Sequence, residues 1–355
     1  MIEFQDQIEL APERLTEIQQ RFQDDYLPAA ASQRGMTLLE TRVSPPLKLS
    51  NGSITLWYRW QVADVQSWWA MRAQAGTPEI TQFWQDIDKI ALFRERIYFS
   101  APFPEELPES QSTAAFEIAT RGHRETAQLK LKSSLGDEDK GRFVSALQQS
   151  EKLPGLEAFS FEQNLAPEYA AGDFTFDLLF ADATSADQAR QSALWLNTIA
   201  PAIAQYCEAC HALGMETLGA GLRDSGLKNA IKRTAYFRLL PGTDDSTARR
   251  FEQDLLEMPM QIPEILNWRL SRAEALPWNQ SDVAPWTYVW EQEFAKLEDL
   301  LGPYMTHPHH WAHIDRWFDP ESGIQAVDTR LSHAFSPLQE SLIAKESQRT
   351  PISSP

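Results

Sequence analysis

Cysteine is nearly absent: Cys207 and Cys210 are the only two among 355 residues, so no disulfide framework is expected. Basic charge is also short. Lys and Arg number 32 against 50 Asp and Glu, a formal net charge of −18. Phosphate backbones need clustered cations, so nucleic acid is excluded as a partner, and an anionic membrane surface with it. A small acidic substrate is not excluded, because a pocket can be locally basic. No run reaches the roughly eighteen apolar residues a membrane span requires. The start, Met1-Ile2-Glu3-Phe4-Gln5-Asp6, is acidic and lacks the apolar centre of a secretory signal, so a cytoplasmic protein is expected. The few glycines do not cluster, which removes phosphate-loop and dinucleotide-binding patterns, and no serine elbow occurs.

Hydrophobic content is 43% and charged content 23%, both ordinary for a globular protein. The length suits two or three domains. Aromatic residues are plentiful, with twelve Trp and eighteen Phe. They gather as Trp57, Tyr58 and Trp60, then Trp68, Trp69 and Trp84, then Trp286, Tyr288 and Trp290. Such groups pack cores, and they also line pockets for flat apolar ligands.

One order of elements recurs three times: an alternating strand, a helix, one or two further strands, and closing helical sequence. The first unit opens with the alternation Ile2 to Ile8 and a helix after Pro12. Strands follow at Met36 to Val43 and Ile54 to Gln61, with Asn51-Gly52 as a turn. Helices are expected at Val65 to Ala75 and Glu79 to Leu92, and a strand at Arg96 to Ser100. In the second unit, strands are predicted at Ala127 to Ser133, Leu156 to Gln163 and Phe174 to Phe180. A helix is expected at Asp137 to Glu151, and a long helical stretch from Ser185 to Ala212, interrupted near Pro201. The third unit has strands at Ala230 to Leu240, Ile265 to Ser271 and Thr287 to Phe294, with helices at Ser246 to Met258, Lys296 to Tyr304 and Pro308 to Phe318. From about Pro337 the sequence turns polar, and a fraying tail is expected. Repeated β-α-β-β-α units of about a hundred residues imply an α+β fold of three tandem ferredoxin-like plaits, whose open sheet faces must be covered. The expected boundaries are 1–105, a linker at 106–123, 124–226, 227–335 and a tail at 336–355.

Four of the seven histidines lie within seven residues: His307, His309, His310 and His313. Histidine has the unperturbed pKa nearest neutrality and serves readily as a general acid or base. Pro308 suits a helix's first turn, which sets His309 and His313 four apart. His309 and His310 are adjacent and point apart on a helix. At most two or three of the four could then converge on a metal, and no metal site is expected. Cys207-Glu208-Ala209-Cys210-His211 has the form of a covalent haem attachment sequence, but it falls in a predicted helix of a chain without an export signal.

These residues carry a resemblance. Ile231-Lys232-Arg233-Thr234-Ala235-Tyr236-Phe237-Arg238-Leu239-Leu240-Pro241-Gly242-Thr243, Ile262-Pro263-Glu264-Ile265 and the closing Tyr304-Met305-Thr306-His307-Pro308-His309-His310 closely resemble the stress-responsive dimeric A/B barrel family. The second unit resembles a degenerate member through Leu153-Pro154-Gly155-Leu156 and Gly172-Asp173-Phe174-Thr175-Phe176-Asp177. The first is similar to the related NIPSNAP family through Leu56-Trp57-Tyr58-Arg59-Trp60. The resemblance implies that plaits pair as dimeric α/β barrels with small molecules bound between sheet and helices. Olivetolic acid cyclase, a cofactor-independent polyketide cyclase, is the family's best understood catalytic relative. Its Tyr–His acid–base pair maps to Tyr304 and His310, and His307 matches the motif histidine. The histidine that many members carry on the first strand is Arg233 here, and a second pocket tyrosine falls near Leu255.

The implied function is a cofactor-independent lyase, cyclase or isomerase acting on a small aromatic or polyketide-like molecule. In it His310 is the base, Tyr304 the acid or oxyanion donor, and His307 an orienting residue. Arg233 would hold the substrate's anion by a two-pronged hydrogen bond, and Tyr288, Trp290 and Trp311 would supply apolar walls. The alternatives are a non-catalytic binding barrel and a haem-dependent oxygenase or dehydratase with His310 or His307 as axial ligand. The second and third units are expected to pair within the chain, leaving the first to join a second copy as a homodimer.

Overall fold

A computed structural model describes residues 1–44, 52–99 and 115–347. Its twelve strands make two antiparallel sheets. The strands are β1 (Ile2–Leu10), β2 (Thr37–Val43), β3 (Ile54–Val62), β4 (Phe93–Phe99), β5 (His123–Leu131), β6 (Leu156–Gln163), β7 (Phe174–Phe180), β8 (Cys207–Leu222), β9 (Lys228–Phe237), β10 (Asn267–Ala275), β11 (Tyr288–Phe294) and β12 (Ser332–Glu340). The four-stranded sheet runs β2-β3-β1-β4 and the eight-stranded one β12-β9-β11-β10-β8-β5-β7-β6. Both contain the ferredoxin-like order in which the first and third strands are central. It appears once in the first sheet and twice in the second, which confirms the α+β class and the three plaits. The chain divides into two units: Met1–Glu109 with Met305–Thr329, and Ser110–Tyr304 with Arg330–Pro355.

In the first unit, β1 alternates buried and half-buried residues along its whole length, as a sheet with one covered face requires. The helix Pro78–Asp88 turns Ile80, Phe83, Trp84 and Ile87 inward at helical spacing. They meet Phe22, Tyr26, Tyr58 and Trp60 in one aromatic core, which Trp311 and Ala312 of the later segment join.

In the second unit, the second and third plaits share one continuous sheet through the β8–β10 pairing. The sheet curls until its halves face each other. Lys232 on β9 pairs with Asp177 on β7 at 2.8 Å, and Arg124 on β5 pairs with Glu291 on β11 at 2.9 Å. The two edges also meet, where Leu165 N–H donates to the Phe335 carbonyl at 2.7 Å.

Three expectations need correction. Cys207 to Ala212 is not the end of a helix. The helix stops at Tyr206 and the chain enters the sixteen-residue β8, paired on both sides. The stretch is rich in Ala, Glu and Leu, which favour helix, but two neighbouring strands offering hydrogen bonds override that preference. The chain does not fray at Pro337. β12 continues to Glu340 against β9, and Leu342–Glu346 is helical. Proline is tolerated there because β12 is an edge strand whose N–H groups need no second partner. Pro308 to Phe318 is not one regular helix: a wide π-type turn spans His309–Ile314 and a tight 3-10 turn spans Asp315–Trp317. Much of the expected linker and the last eight tail positions lie outside the described residues.

Candidate functional site

The third plait brings a cation, several hydrogen-bond donors and a phenol onto one face of its sheet. Residues two apart on a strand share a face. Register therefore sets Arg233 and Ala235 on β9 beside Gln292 and Trp290 on β11. The same register sets Phe335 and His333 on β12 across from them. The helix Asp245–Gln261 covers this face, its Phe251 ring lying 6.0 Å from Phe237 and 5.8 Å from Tyr288. Tyr304 closes another side, with its ring 5.4 Å from Phe294.

Arg233 is 3% exposed. One guanidinium nitrogen donates to Gln292 Oε1 at 2.7 Å and the other to His333 Nε2 at 3.1 Å. The Tyr304 ring centre lies 5.5 Å from the guanidinium carbon. Among the described residues no carboxylate pairs with this cation, and burial pulls its pKa below the ordinary value. A buried cation without a counter-charge is costly. Another donor on the same face, Trp290 Nε1, is buried without a hydrogen-bond partner among the described residues, and the Gln292 carboxamide lies by the Tyr304 phenol. Burial pushes the Tyr304 phenol up, against the pull of Arg233 and the nearby Gln292 carboxamide, so the phenol keeps its proton at neutral pH. The face thus collects a buried cation, an unpaired hydrogen-bond donor and a protonated phenol, groups of the kind that stabilise negative charge on oxygen.

The matching face of the second plait is a contrast. Ala127, Leu129, Phe174, Phe176, Leu178 and Phe180 meet Phe143 and Leu147 there in an apolar cluster. The arginine near that face of the second plait, Arg190, is paired with the buried carboxylate of Glu125, unlike Arg233.

The remaining residues singled out from sequence are distributed as follows. Tyr288 is buried and its hydroxyl donates to Glu252 at 2.6 Å. Leu255 lies on the buried face of the helix Asp245–Gln261. Tyr304 belongs to the second unit, whereas His307, His310 and Trp311 belong to the first. In the first unit Trp311 packs 5.3 Å from Trp68, His310 lies 5.2 Å from Trp69, and the His309 and His313 rings are 4.6 Å apart. His333 and Gln292 join the site only through the pairing of β9 with β12 and β11. The signal for Gln292 was a lone amide in an otherwise apolar or acidic strand; His333 was hidden by the polar run around it.

Among the described residues no group of three or more His, Cys, Asp or Glu is placed to hold a metal. The Cys207–His211 run does not fit covalent haem. It lies in a strand, both thiols are buried, and burial pushes Cys207 up to about 12. His211 Nδ1 accepts a hydrogen bond from Trp286 at 3.1 Å, and burial lowers its pKa to about 4. Among the described residues no helix is long and apolar enough to cross a membrane.

Comparison with known proteins agrees with the third plait's architecture. Residues 231–330 match the model of the stress responsive A/B barrel domain. No curated protein matches the chain. Among solved structures, an anthrone oxidase-like protein is similar at 7% identity over 62% of this chain and 94% of its own, with a TM-score of 0.45. A chlorite dismutase variant from Candidatus Nitrospira defluvii is similar at 7% identity over 64% and 94%, with a TM-score of 0.37. An uncharacterized NIPSNAP domain protein from Burkholderia xenovorans is similar at 17% identity over 30% of this chain and all of its own, with a TM-score of 0.24. The family likeness thus rests on the stretch from residue 231 to residue 330, which is similar to the stress responsive A/B barrel domain.

Proposed function

We propose that this protein acts on a small aromatic or polyketide-like anion held by Arg233, in a cofactor-independent lyase, cyclase or isomerase step. One observation carries the reading: a fully buried arginine whose partners are an amide, an imidazole and an aromatic ring, with no carboxylate among the described residues. The guanidinium fork matches a carboxylate or phenolate by two parallel hydrogen bonds. Trp290 offers its donor to the same ligand. Tyr304, protonated and buried, gives its proton to the oxygen on which charge develops. When the substrate takes the fork, the His333 nitrogen that accepts from Arg233 turns to accept a substrate proton instead. Tyr304 and His310 fall in separate units, and this reading is built on the second unit alone. A second reading, a binding barrel without turnover, shares the Arg233 anchor and differs at Tyr304.

The test uses Arg233→Met with 2,4-dihydroxybenzoate as probe, followed by Trp fluorescence and calorimetry. A charge-assisted hydrogen bond is worth about 1.5–3 kcal/mol, so binding should weaken about 10- to 100-fold. The variant should melt no lower than the wild type, because it removes a buried charge that lacks a counter-ion. Undiminished binding by Arg233→Met refutes the reading. Tyr304→Phe separates the two versions: loss of turnover with binding kept supports the enzyme.

A further inference from the structure

The first unit has a binding arrangement of its own, and its occupant belongs to the chain. The Glu321 carboxylate stands inside the aromatic core of the first plait, 1% exposed. Tyr26 Oη and Arg34 Nη2 donate to it at close range, Arg34 Nη1 at 3.0 Å and Trp84 Nε1 at 3.0 Å. Arg96 approaches with Nη1 at 3.2 Å and Nη2 at 3.5 Å. All four donor residues come from the first hundred residues. Asp6 fixes Arg96 through bonds of 2.7 and 3.1 Å and accepts from Trp60 Nε1 at 2.8 Å. Arg34 also donates to the Met71 carbonyl. Asp319 stands farther off, 3.9 Å from Arg96 and 2.8 Å from Arg72, so the Glu321 carboxylate is the acid in direct contact with both Arg34 and Arg96.

The loop carrying Glu321 is held by other means. Arg94 donates to the Glu321 carbonyl at 2.8 Å and to the Pro320 carbonyl at 3.0 Å, and Arg96 N–H donates to the Ser322 carbonyl at 3.0 Å. Gly323 has φ +81°, and a Cβ there would stand 2.3 Å from the Arg94 carbonyl oxygen. Backbone anchoring and carboxylate capture are therefore separate. We propose that the first plait contains a carboxylate-binding site, built from Tyr26, Arg34, Trp84 and Arg96, which Glu321 occupies in cis and which takes a small monocarboxylate once that side chain is withdrawn.

Size makes the test specific. Glu321→Ala removes four heavy atoms, two carbons and two oxygens, the same set that acetate supplies. Glu321→Gly removes one carbon more, which propionate restores. Glu321→Ala should melt lower than the wild type, and acetate should raise its Tm along a saturating curve. Chloride at equal ionic strength and neutral acetamide should not, and the wild type should not respond to acetate. Propionate should outperform acetate on Glu321→Gly. Transferred line broadening of carbon-13 acetate gives a second readout. If Glu321→Ala does not fold alone, refolding with acetate against chloride takes the place of the melt. Glu321→Gln, which fills the site without charge, should fold and ignore acetate. Equal rescue by chloride or acetamide, or no saturable acetate effect in either assay, overturns the proposal.

Discussion

Glu293 offers a quantitative check on the interior of the eight-stranded sheet. It sits two residues beyond Glu291 on β11, yet the two carboxylates meet opposite fates. Glu291 lies between Arg124 and Lys232, with Arg269 near, and these cations outweigh its burial and hold it below the usual carboxylate range. Glu293 has Asn267 Nδ2 at 2.8 Å and Ser341 beside it, both neutral, so burial wins and its pKa rises from 4.5 to about 7. Between those values the native state keeps a proton that the unfolded chain releases. Stability therefore falls as pH rises through that window, and the cost is complete above pH 7. At about 1.36 kcal/mol per pH decade, the displacement amounts to about 3 kcal/mol. Glu293→Gln keeps the volume and the carbonyl that accepts from Asn267, and it cannot ionise. Urea unfolding of wild type and variant across pH 4.5 to 8.5 is the assay. The two should be nearly equal at the acid end, and the variant should be about 3 kcal/mol more stable above pH 7.5. A difference that stays constant with pH would refute the reasoning.

Two further outcomes follow from packing. Cys207 and Cys210 are buried, and burial pushes both thiols up, Cys207 to about 12 and Cys210 higher still. A thiol reagent at pH 8 should leave both unmodified in the native protein and label both in urea; rapid native labelling contradicts the placement of β8. Gly221 has no room for a side chain, since a Cβ would stand 2.0 Å from the Trp268 ring. Gly221→Ala should cost about 1–3 kcal/mol or more, read as a fall in Tm; an unchanged Tm would mean that the ring is not where it is described.

Much of the fold was legible because local patterns and punctuation agree. β6 and β7 have the expected limits to the residue: Pro154-Gly155 breaks the chain before β6, and both strands are rich in aromatic residues. The first six residues of β8, Cys207 to Ala212, read as helix from their composition, and their strand character comes from two neighbours distant in sequence. β12 was missed because Pro337 and scattered serines imitate a tail, while the sheet edge that tolerates them is a tertiary fact. Arg233 and Tyr304 stood out through the family pattern. His333 did not, because its relation to Arg233 exists only once β12 pairs with β9. The grouping of Met305–Thr329 with the first unit has no local signature either: the residues that meet Asp315, Asp319 and Glu321 lie more than two hundred positions earlier.

That interleaving has a consequence for synthesis on the ribosome. The arginines at 34, 72 and 96 emerge early, and the acidic residues that neutralise them at 315, 319 and 321 emerge late. At about 5–20 residues per second the nascent first unit waits on the order of tens of seconds for its counter-charges. During that interval its core holds cations that would be buried with Asp6 as the principal compensation. Until residues 315 to 321 are made, the N-terminal plait lacks the carboxylates that neutralise these arginines. Its last stabilising charges arrive only after β5 to β11 have been made.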